Sequence, residues 1–298
     1  MNVLADHYPV VGDWVQLTMI PEENKGVIHK VLPRKTIVSR QAAGTKTEQQ
    51  VVATNIDYIF LLMGLHLDFN IRRLERYLVT AYDSGAQPII VLTKKDLCMN
   101  VDERVYEVNN IAYGVPIIPL SNVTREGIEH LQPYLQEGKT AAFIGSSGVG
   151  KSSLLNSLLK SSAQKTIDVR EGDDRGRHTT THKELFLLPT GAMVIDTPGM
   201  RELQLWDAAE GLGSTFYDIE ELAQQCRFKD CTHETEPDCA VQAGLAAGTM
   251  SQQRLDSYRK LQRELLFAQR KQDTSLAWAE KQKTKHISKW QKQYYKKR

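Results

Sequence analysis

The chain has 298 residues, 41% of them hydrophobic and 25% charged, with a formal net charge of +2. That length is ample for a sizeable core in two or three domains, and the balance excludes a disordered or fibrous chain. The small net charge does not by itself argue for nucleic acid, and the most apolar run, Tyr58 to Leu65, is far too short to span a membrane.

The N-terminus lacks the basic-then-apolar pattern of a secretory signal, so a cytosolic protein without a membrane partner is expected. Residues 1–53 hold short strand patterns, Val10 to Leu17, Lys25 to Val31 and Thr36 to Val38, separated by Pro, Gly and Asn. A small oligonucleotide-binding (OB) type β-barrel suits them, and so does a simple β-meander. Lys30, Arg34, Lys35 and Arg40 make either an RNA-facing surface or a solvated one.

From Asn55 the period changes. A buried strand (56–65), a helix (71–84), a strand (88–93), a helix, a strand (115–120), a helix and a further apolar strand follow one another. That alternation predicts a mostly parallel sheet covered on both faces over residues 54–207. Thr93-Lys94-Lys95-Asp96 at the end of the second strand fits the guanine-specificity pattern Asn/Thr-Lys-x-Asp. An aspartate there can accept from the N1–H and N2–H₂ of guanine, a donor pair adenine lacks, while the lysine stem lies over the base. Taken alone, Asp96 could equally cap the next helix. Ser121-Asn122-Val123-Thr124 stands where a backbone N–H could meet the guanine O6, and also reads as a plain turn.

Gly145-Ser146-Ser147-Gly148-Val149-Gly150-Lys151-Ser152 matches G-x-x-x-x-G-K-[ST], between the apolar run Ala141 to Ile144 and a helical pattern starting at Ser153. The glycines let backbone N–H groups wrap a triphosphate, Lys151 neutralises its charge and Ser152 can ligate Mg²⁺. A polar stretch with Gly176-Arg177-His178-Thr179-Thr180-Thr181 predicts a mobile loop. Two strands, 184–188 and 192–195, then end in Asp196-Thr197-Pro198-Gly199-Met200. There Asp196 can hold Mg²⁺ through water, and the Gly199 N–H can sense a γ-phosphate.

Cys226-x₄-Cys231-x-His233-x₅-Cys239 offers three thiolates and an imidazole, a closed tetrahedral set for one structural Zn²⁺, with His233 the least secure ligand. A helix over 251–271 and a tail follow. From Lys281 onward the tail has seven Lys, one Arg and no acidic residue, interleaved with Trp290, Tyr294 and Tyr295. It could bind RNA or be a solvated, frayed helix.

The usual GTPase order runs phosphate loop, switch I, D-x-x-G, then the guanine elements. Here the guanine elements come first, so residues 56–200 read as a circularly permuted GTPase whose switch II leads directly into the C-terminal region.

On these motifs, together with Val11-Gly12-Asp13-Trp14-Val15, the chain resembles the bacterial ribosome small subunit-dependent GTPase A (RsgA) family from about Val11 to Tyr258. The resemblance implies an α/β fold in three parts: an N-terminal OB-like barrel over 1–53, a permuted GTPase domain over 54–207, and an α-helical zinc-binding domain over 208–298. It implies GTP hydrolysis stimulated by the small ribosomal subunit during its late maturation, with rRNA and GTP/GDP as partners of a monomeric, cytoplasmic factor. It assigns Lys94 and Asp96 to guanine, Gly145 to Ser153 to the phosphates, and Cys226, Cys231, His233 and Cys239 to zinc.

Two departures stand out. About 50 residues precede the GTPase region, short for a full barrel, and Thr93 replaces the usual Asn with a shorter reach toward the phosphate loop. Met200 occupies the place of a water-orienting glutamine, so unassisted turnover should be slow, and His178 is the candidate for that task, with Lys151 and Thr180 completing the catalytic set. Rival readings are an ATP-dependent kinase using the same phosphate loop, and a nucleotide-regulated RNA-binding module whose hydrolysis is incidental.

Overall fold

The computed structural model describes residues 8–21, 25–41, 49–160, 184–196 and 208–270. His178, Thr179, Thr180, Gly199, Met200 and the basic tail lie outside the described residues.

The N-terminal strands form two separate antiparallel pairs, β1 (Val15–Met19) with β2 (Gly26–Val31) and β3 (Ile37–Gln41) with β4 (Gln49–Thr54). Among the described residues these pairs do not close into the expected barrel. Trp14, Met19 and Val27 remain exposed, so the first hairpin buries little apolar surface of its own. A polar knot holds this segment. The Asp13 carboxylate, 1% exposed, accepts from Arg34 Nε and Nη2 (both 2.8 Å), Thr54 Oγ1 (2.7 Å) and the Val10 N–H (2.9 Å). Beside it Gly12 has φ +93°, and a Cβ there would sit 2.1 Å from the Thr54 carbonyl oxygen, so the turn requires glycine.

The main sheet contains β5 (Tyr58–Gly64), β6 (Gln87–Thr93), β7 (Ile117–Pro119), β8 (Thr140–Gly145), β9 (Glu184–Leu187) and β10 (Met193–Asp196), in spatial order β7-β6-β5-β8-β10-β9. Among the described strands of this sheet, only β9 runs antiparallel to its neighbour. Alternate residues of β5 serve opposite cores, as a strand covered on both faces requires. Ile59, Leu61 and Met63 pack with Leu74 and Leu78 of α1 (Ile71–Asp83). Phe60 and Leu62 pack with Leu154 and Leu158 of α3 (Lys151–Lys160). α2 (Val101–Asn109) lies between β6 and β7 in the chain. The helix expected after β7 is instead a 3₁₀ segment, Ile128–Tyr134, with Pro133 inside it. Proline lacks the N–H that an α-helical ladder needs and clashes with the preceding turn.

The chain leaves β7 at the sheet edge and enters β8 at its centre. Strands β5, β6 and β7 therefore run outward to one side, and β8, β10 and β9 to the other. The crevice beyond the carboxyl ends of β5 and β8 is the switch point where such sheets bind ligands.

The C-terminal region comprises α4 (Ala209–Thr215), α5 (Tyr217–Ala223), α6 (Ala240–Ala246) and α7 (residues 252–270). Its core of Phe216, Ile219, Val241, Leu255 and Leu261 includes Val79 from α1. A Cβ on Gly211 would lie 2.1 Å from the Val79 carbonyl oxygen, so α4 rests directly on α1. Buried charges cross the same seam. Arg254 is 6% exposed and bonds Glu75 (2.8 Å), Asp218 (2.8 Å) and the Thr215 carbonyl (2.7 Å), with its guanidinium 4.4 Å from the Phe216 ring centre. Glu75 is fully buried and also accepts from Arg72 on its own helix (2.6 Å) and from Ser257 (2.5 Å), so a charged network rather than a single pair spans the seam. Among the described residues no helix is long and apolar enough to cross a membrane.

Candidate functional site

The candidate nucleotide residues converge on the carboxyl edge of the main sheet. β8 ends at Gly145 and α3 begins at Lys151, so Ser146 to Gly150 form the turn between them. Gly148 and Gly150 have φ of +72° and +106°. At Gly145 a Cβ would approach the Leu62 carbonyl oxygen to 2.7 Å, and at Gly150 it would meet Asn122 Nδ2 at 2.9 Å. The cradle is shaped by the absence of these side chains. The Lys151 ammonium donates to the carbonyls of Gly145 and Ser146, both at 2.6 Å, and so lies over the loop. Ser147, Ser152 and Ser153 are exposed at the loop and the first turn of α3. Val149 is buried and anchors the turn in the core.

Thr93 ends β6, two strands from β8 across β5, and Lys94 follows it. Thr93 Oγ1 donates to the Val149 carbonyl at 2.7 Å, so the shorter side chain does reach the phosphate loop. Lys94 has φ +60°, and a short 3₁₀ turn over Lys95–Leu97 follows. Lys95 turns aside to pair with Glu126. Asp96 does not cap α2, whose cap position is Asn100. Its Oδ1 instead accepts from Ser121 Oγ at 2.5 Å. The Ser121 oxygen in turn accepts from the N–H groups of Val123 and Thr124, both at 3.1 Å, which fixes the turn after β7. Asn122 contributes more than a backbone donor, since its Nδ2 donates to the Gly150 carbonyl at 3.2 Å. Its Oδ1 is buried without a partner.

Sequence reasoning missed the Ser121 hydroxyl and the Asn122 side chain, because it assigned that turn only a backbone role. It also passed over Asp68, whose Oδ2 accepts from Ser146 Oγ at 2.5 Å. The local signal there, Asn70, concerns only the start of α1, where its side chain accepts from the Arg73 N–H at 3.0 Å. Asp196 ends β10, half-buried and next to the strand that carries the phosphate loop.

The second cluster lies in the C-terminal region, where the donor atoms of Cys226, Cys231, His233 and Cys239 all fall within 4.8 Å of one another. Four ligands at ordinary zinc distances form a tetrahedron with edges of about 3.8 Å between sulfurs and about 3.5 Å between sulfur and nitrogen. Cys226 Sγ lies 3.8 Å from Cys239 Sγ and 3.5 Å from His233 Nδ1, and Cys239 Sγ lies 3.6 Å from the same nitrogen. The residues present therefore fit one closed zinc site. His233 and Asp238 take left-handed backbone conformations, at φ +62° and +57°, to bring the ligands together.

Burial works to raise the Cys226 thiol, yet the N–H groups of Val241 and Ala240 at the start of α6 hold it below the ordinary value. Cys231 is pushed up to about 11, by burial and by its two sulfur neighbours. Crowded thiols ionise unequally, and a divalent cation among them would relieve that conflict. Burial also lowers His233, favouring the neutral imidazole a metal needs. Its carbonyl accepts from Gln242 Nε2 and from Arg259 of α7, which ties the cluster to the last helix.

Guanine elements upstream of a phosphate loop, on adjacent strand ends of one sheet, are found together with a match to the family model described as RsgA GTPase over residues 31–206. The chain belongs to the RsgA GTPase family. Similar members include the small ribosomal subunit biogenesis GTPase RsgA of Methanosarcina acetivorans, 46% identical over 94% of this chain and 76% of the relative. RsgA 2 of Lactiplantibacillus plantarum is 50% identical over 87% of this chain and 73% of its own length. Among solved structures, YjeQ from Thermotoga maritima superposes with a TM-score of 0.65 at 32% identity, covering 88% of this chain and 86% of that one. YloQ, titled a circularly permuted GTPase, gives 0.61 at 29% identity over 88% and 83%. The fold is thus that of the permuted GTPases of the RsgA family. A model described as ABC transporter also matches, over residues 128–293. That span holds a phosphate loop of the kind many nucleotide triphosphatases use, and it leaves out the guanine motif.

Proposed function

We propose that this chain hydrolyses GTP to GDP and phosphate and acts in the late maturation of the small ribosomal subunit, which stimulates the reaction. The observation that carries this reading is the joint between base-reading and phosphate-holding elements, Thr93 to Val149 and Asn122 to Gly150, with Ser121 to Asp96 linking the two base-reading turns. Relatives named small ribosomal subunit biogenesis GTPase, at 46% identity over 94% and 97% of the chain, supply the partner.

In this reading Asp96 accepts from the N1–H and N2–H₂ of guanine while the Lys94 stem covers the base. The loop N–H groups and the start of α3 hold the phosphates, and Lys151 neutralises charge on the β- and γ-oxygens. Ser152 and a threonine at 179 or 180 would hold Mg²⁺, with Asp196 acting through water, and the ion when bound adds charge neutralisation there. Catalysis is mostly positioning and charge stabilisation. Met200 cannot orient water, so His178 takes that role and unassisted turnover is slow. Zinc held by Cys226, Cys231, His233 and Cys239 is structural, since the four protein ligands fill a tetrahedral shell. The N-terminal segment and the basic tail contact rRNA, and the factor works as a cytoplasmic monomer.

The deciding experiment is GTP turnover with and without purified small subunits. A large stimulation supports the reading. An unchanged rate beside tight binding of free RNA favours an RNA-binding module instead, and ATP competing equally with GTP favours a kinase. Subunit-stimulated turnover of His178→Ala tests the water-orienting role, and an unchanged rate with binding intact removes it.

A further inference from the structure

The phosphate loop is braced by side chains from three different strand ends. Thr93 at the end of β6 donates to the Val149 carbonyl, Asn122 after β7 donates to the Gly150 carbonyl, and Asp68 after β5 accepts from the Ser146 hydroxyl. The first two belong to the guanine elements. Asp68 belongs to neither the phosphate loop nor the guanine motifs.

We propose that Asp68 is a positioning residue for GTP hydrolysis, which fixes Ser146 and through it the Lys151 ammonium. The proposal rests on the GTPase reading above. Three contacts line up. Arg73 Nη2, on the first turn of α1, donates to Asp68 Oδ1 at 2.7 Å and also to the Asp68 main-chain carbonyl, so side chain and backbone of Asp68 are held together. The other carboxylate oxygen receives the Ser146 hydroxyl at 2.5 Å. The carbonyl of the same Ser146 accepts from Lys151 Nζ at 2.6 Å. Arg73 keeps this geometry although its Nε is buried without a partner.

An isolated surface ion pair contributes little to stability. This pair differs in what its second oxygen does, because it ends on the turn whose shape sets where the lysine sits. Charge grows on the β–γ bridging oxygen as the bond to the γ-phosphate breaks, and a cation already in place there stabilises the transition state without reorganising. Without the clamp, Ser146 loses its side-chain anchor, and one of the two carbonyls that hold the lysine is no longer fixed in place. The loss then falls on kcat more than on nucleotide affinity, which many loop N–H groups share.

The test uses the full chain, with phosphate release from GTP, GDP affinity and the thermal midpoint measured for Asp68→Ala, Ser146→Ala and the double variant. Each single change is expected to lower kcat about tenfold with much smaller changes in GDP affinity and midpoint. The double variant should be no slower than either single one, since both remove the same contact. Unchanged kcat, additive losses, or losses that track a lowered midpoint would overturn the proposal. Wild-type phosphate release, measured first, tests the GTPase reading separately. A chain that releases none from GTP even with purified small subunits added overturns that reading, whereas a working wild type with unaffected variants under the same conditions overturns only the role of Asp68.

Discussion

Thr93 donates its hydroxyl to the carbonyl of Val149 across 2.7 Å, so the strand end that carries the guanine motif also braces the phosphate loop. Both residues are buried. The candidate base-reading and phosphate-holding elements are therefore joined in one hydrogen-bonded unit.

Thr93→Val keeps the shape and removes the donor. A buried carbonyl left without its partner costs about 1–3 kcal/mol. GTP affinity should fall by about tenfold, read by titration with a fluorescent GTP analogue, with a small drop in the thermal midpoint. Undiminished affinity would mean that the loop holds its shape without this brace.

Asp96→Asn replaces an acceptor of two guanine donors by a side chain with a single accepting oxygen. Losing a charge-assisted hydrogen bond costs about 1.5–3 kcal/mol, so GTP should bind roughly 10–100-fold more weakly. Binding of xanthosine triphosphate, which carries an acceptor where guanine has its amino group, should improve. Competition titrations with both nucleotides and with ATP check this, and equal losses for all three would remove Asp96 from base recognition.

Cys239→Ser should lower the zinc content measured by elemental analysis below one ion per chain. The same loss should follow treatment of the wild type with a strong chelator. Zinc held by this cluster would couple binding to folding, so the thermal midpoint should fall by about 5–10 °C. Nucleotide affinity should change little, because the cluster and the phosphate loop belong to different cores.

Burial opposes ionisation of Asp13, but hydrogen bonds from Arg34, the Val10 N–H and Thr54 hold its carboxyl below the ordinary 3.8. A folded-state value below the unfolded one means that the charged form favours folding. Its contribution is present above pH 3.8 and is lost as the pH falls through the lower folded value. Asp13→Asn should cost about 1–3 kcal/mol at neutral pH. The gap between wild type and variant in denaturant unfolding should close below about pH 3.8.

Much of this site was legible in the sequence because its chemistry is local. Gly145 to Ser152 must form a strand-to-helix turn that offers N–H groups, and the cysteine spacing from Cys226 to Cys239 keeps four ligands within reach of one ion. Helix α1 was readable from apolar residues at Leu74, Tyr77, Leu78 and Ala81, which fall on one face. The 3₁₀ segment was misread as a helix because Pro133 was given no weight. Exposed apolar residues on β1 and β2 show why strand patterns alone did not settle a barrel: periodicity says which residues share a face, and not what covers it.

By itself the sequence determined which chemical groups are present and in what order, including guanine elements ahead of the phosphate loop. Only the tertiary structure decided how those groups hold one another. The bond from Ser121 to Asp96 spans 25 residues, that from Ser146 to Asp68 spans 78, and that from Arg254 to Glu75 spans 179. No periodicity records such partnerships. They exist because the sheet sets β8 between β5 and β10, which brings the ends of distant strands to one edge, and because packing α7 on α1 buries Arg254 and Glu75 in one seam, where each needs charged or polar partners.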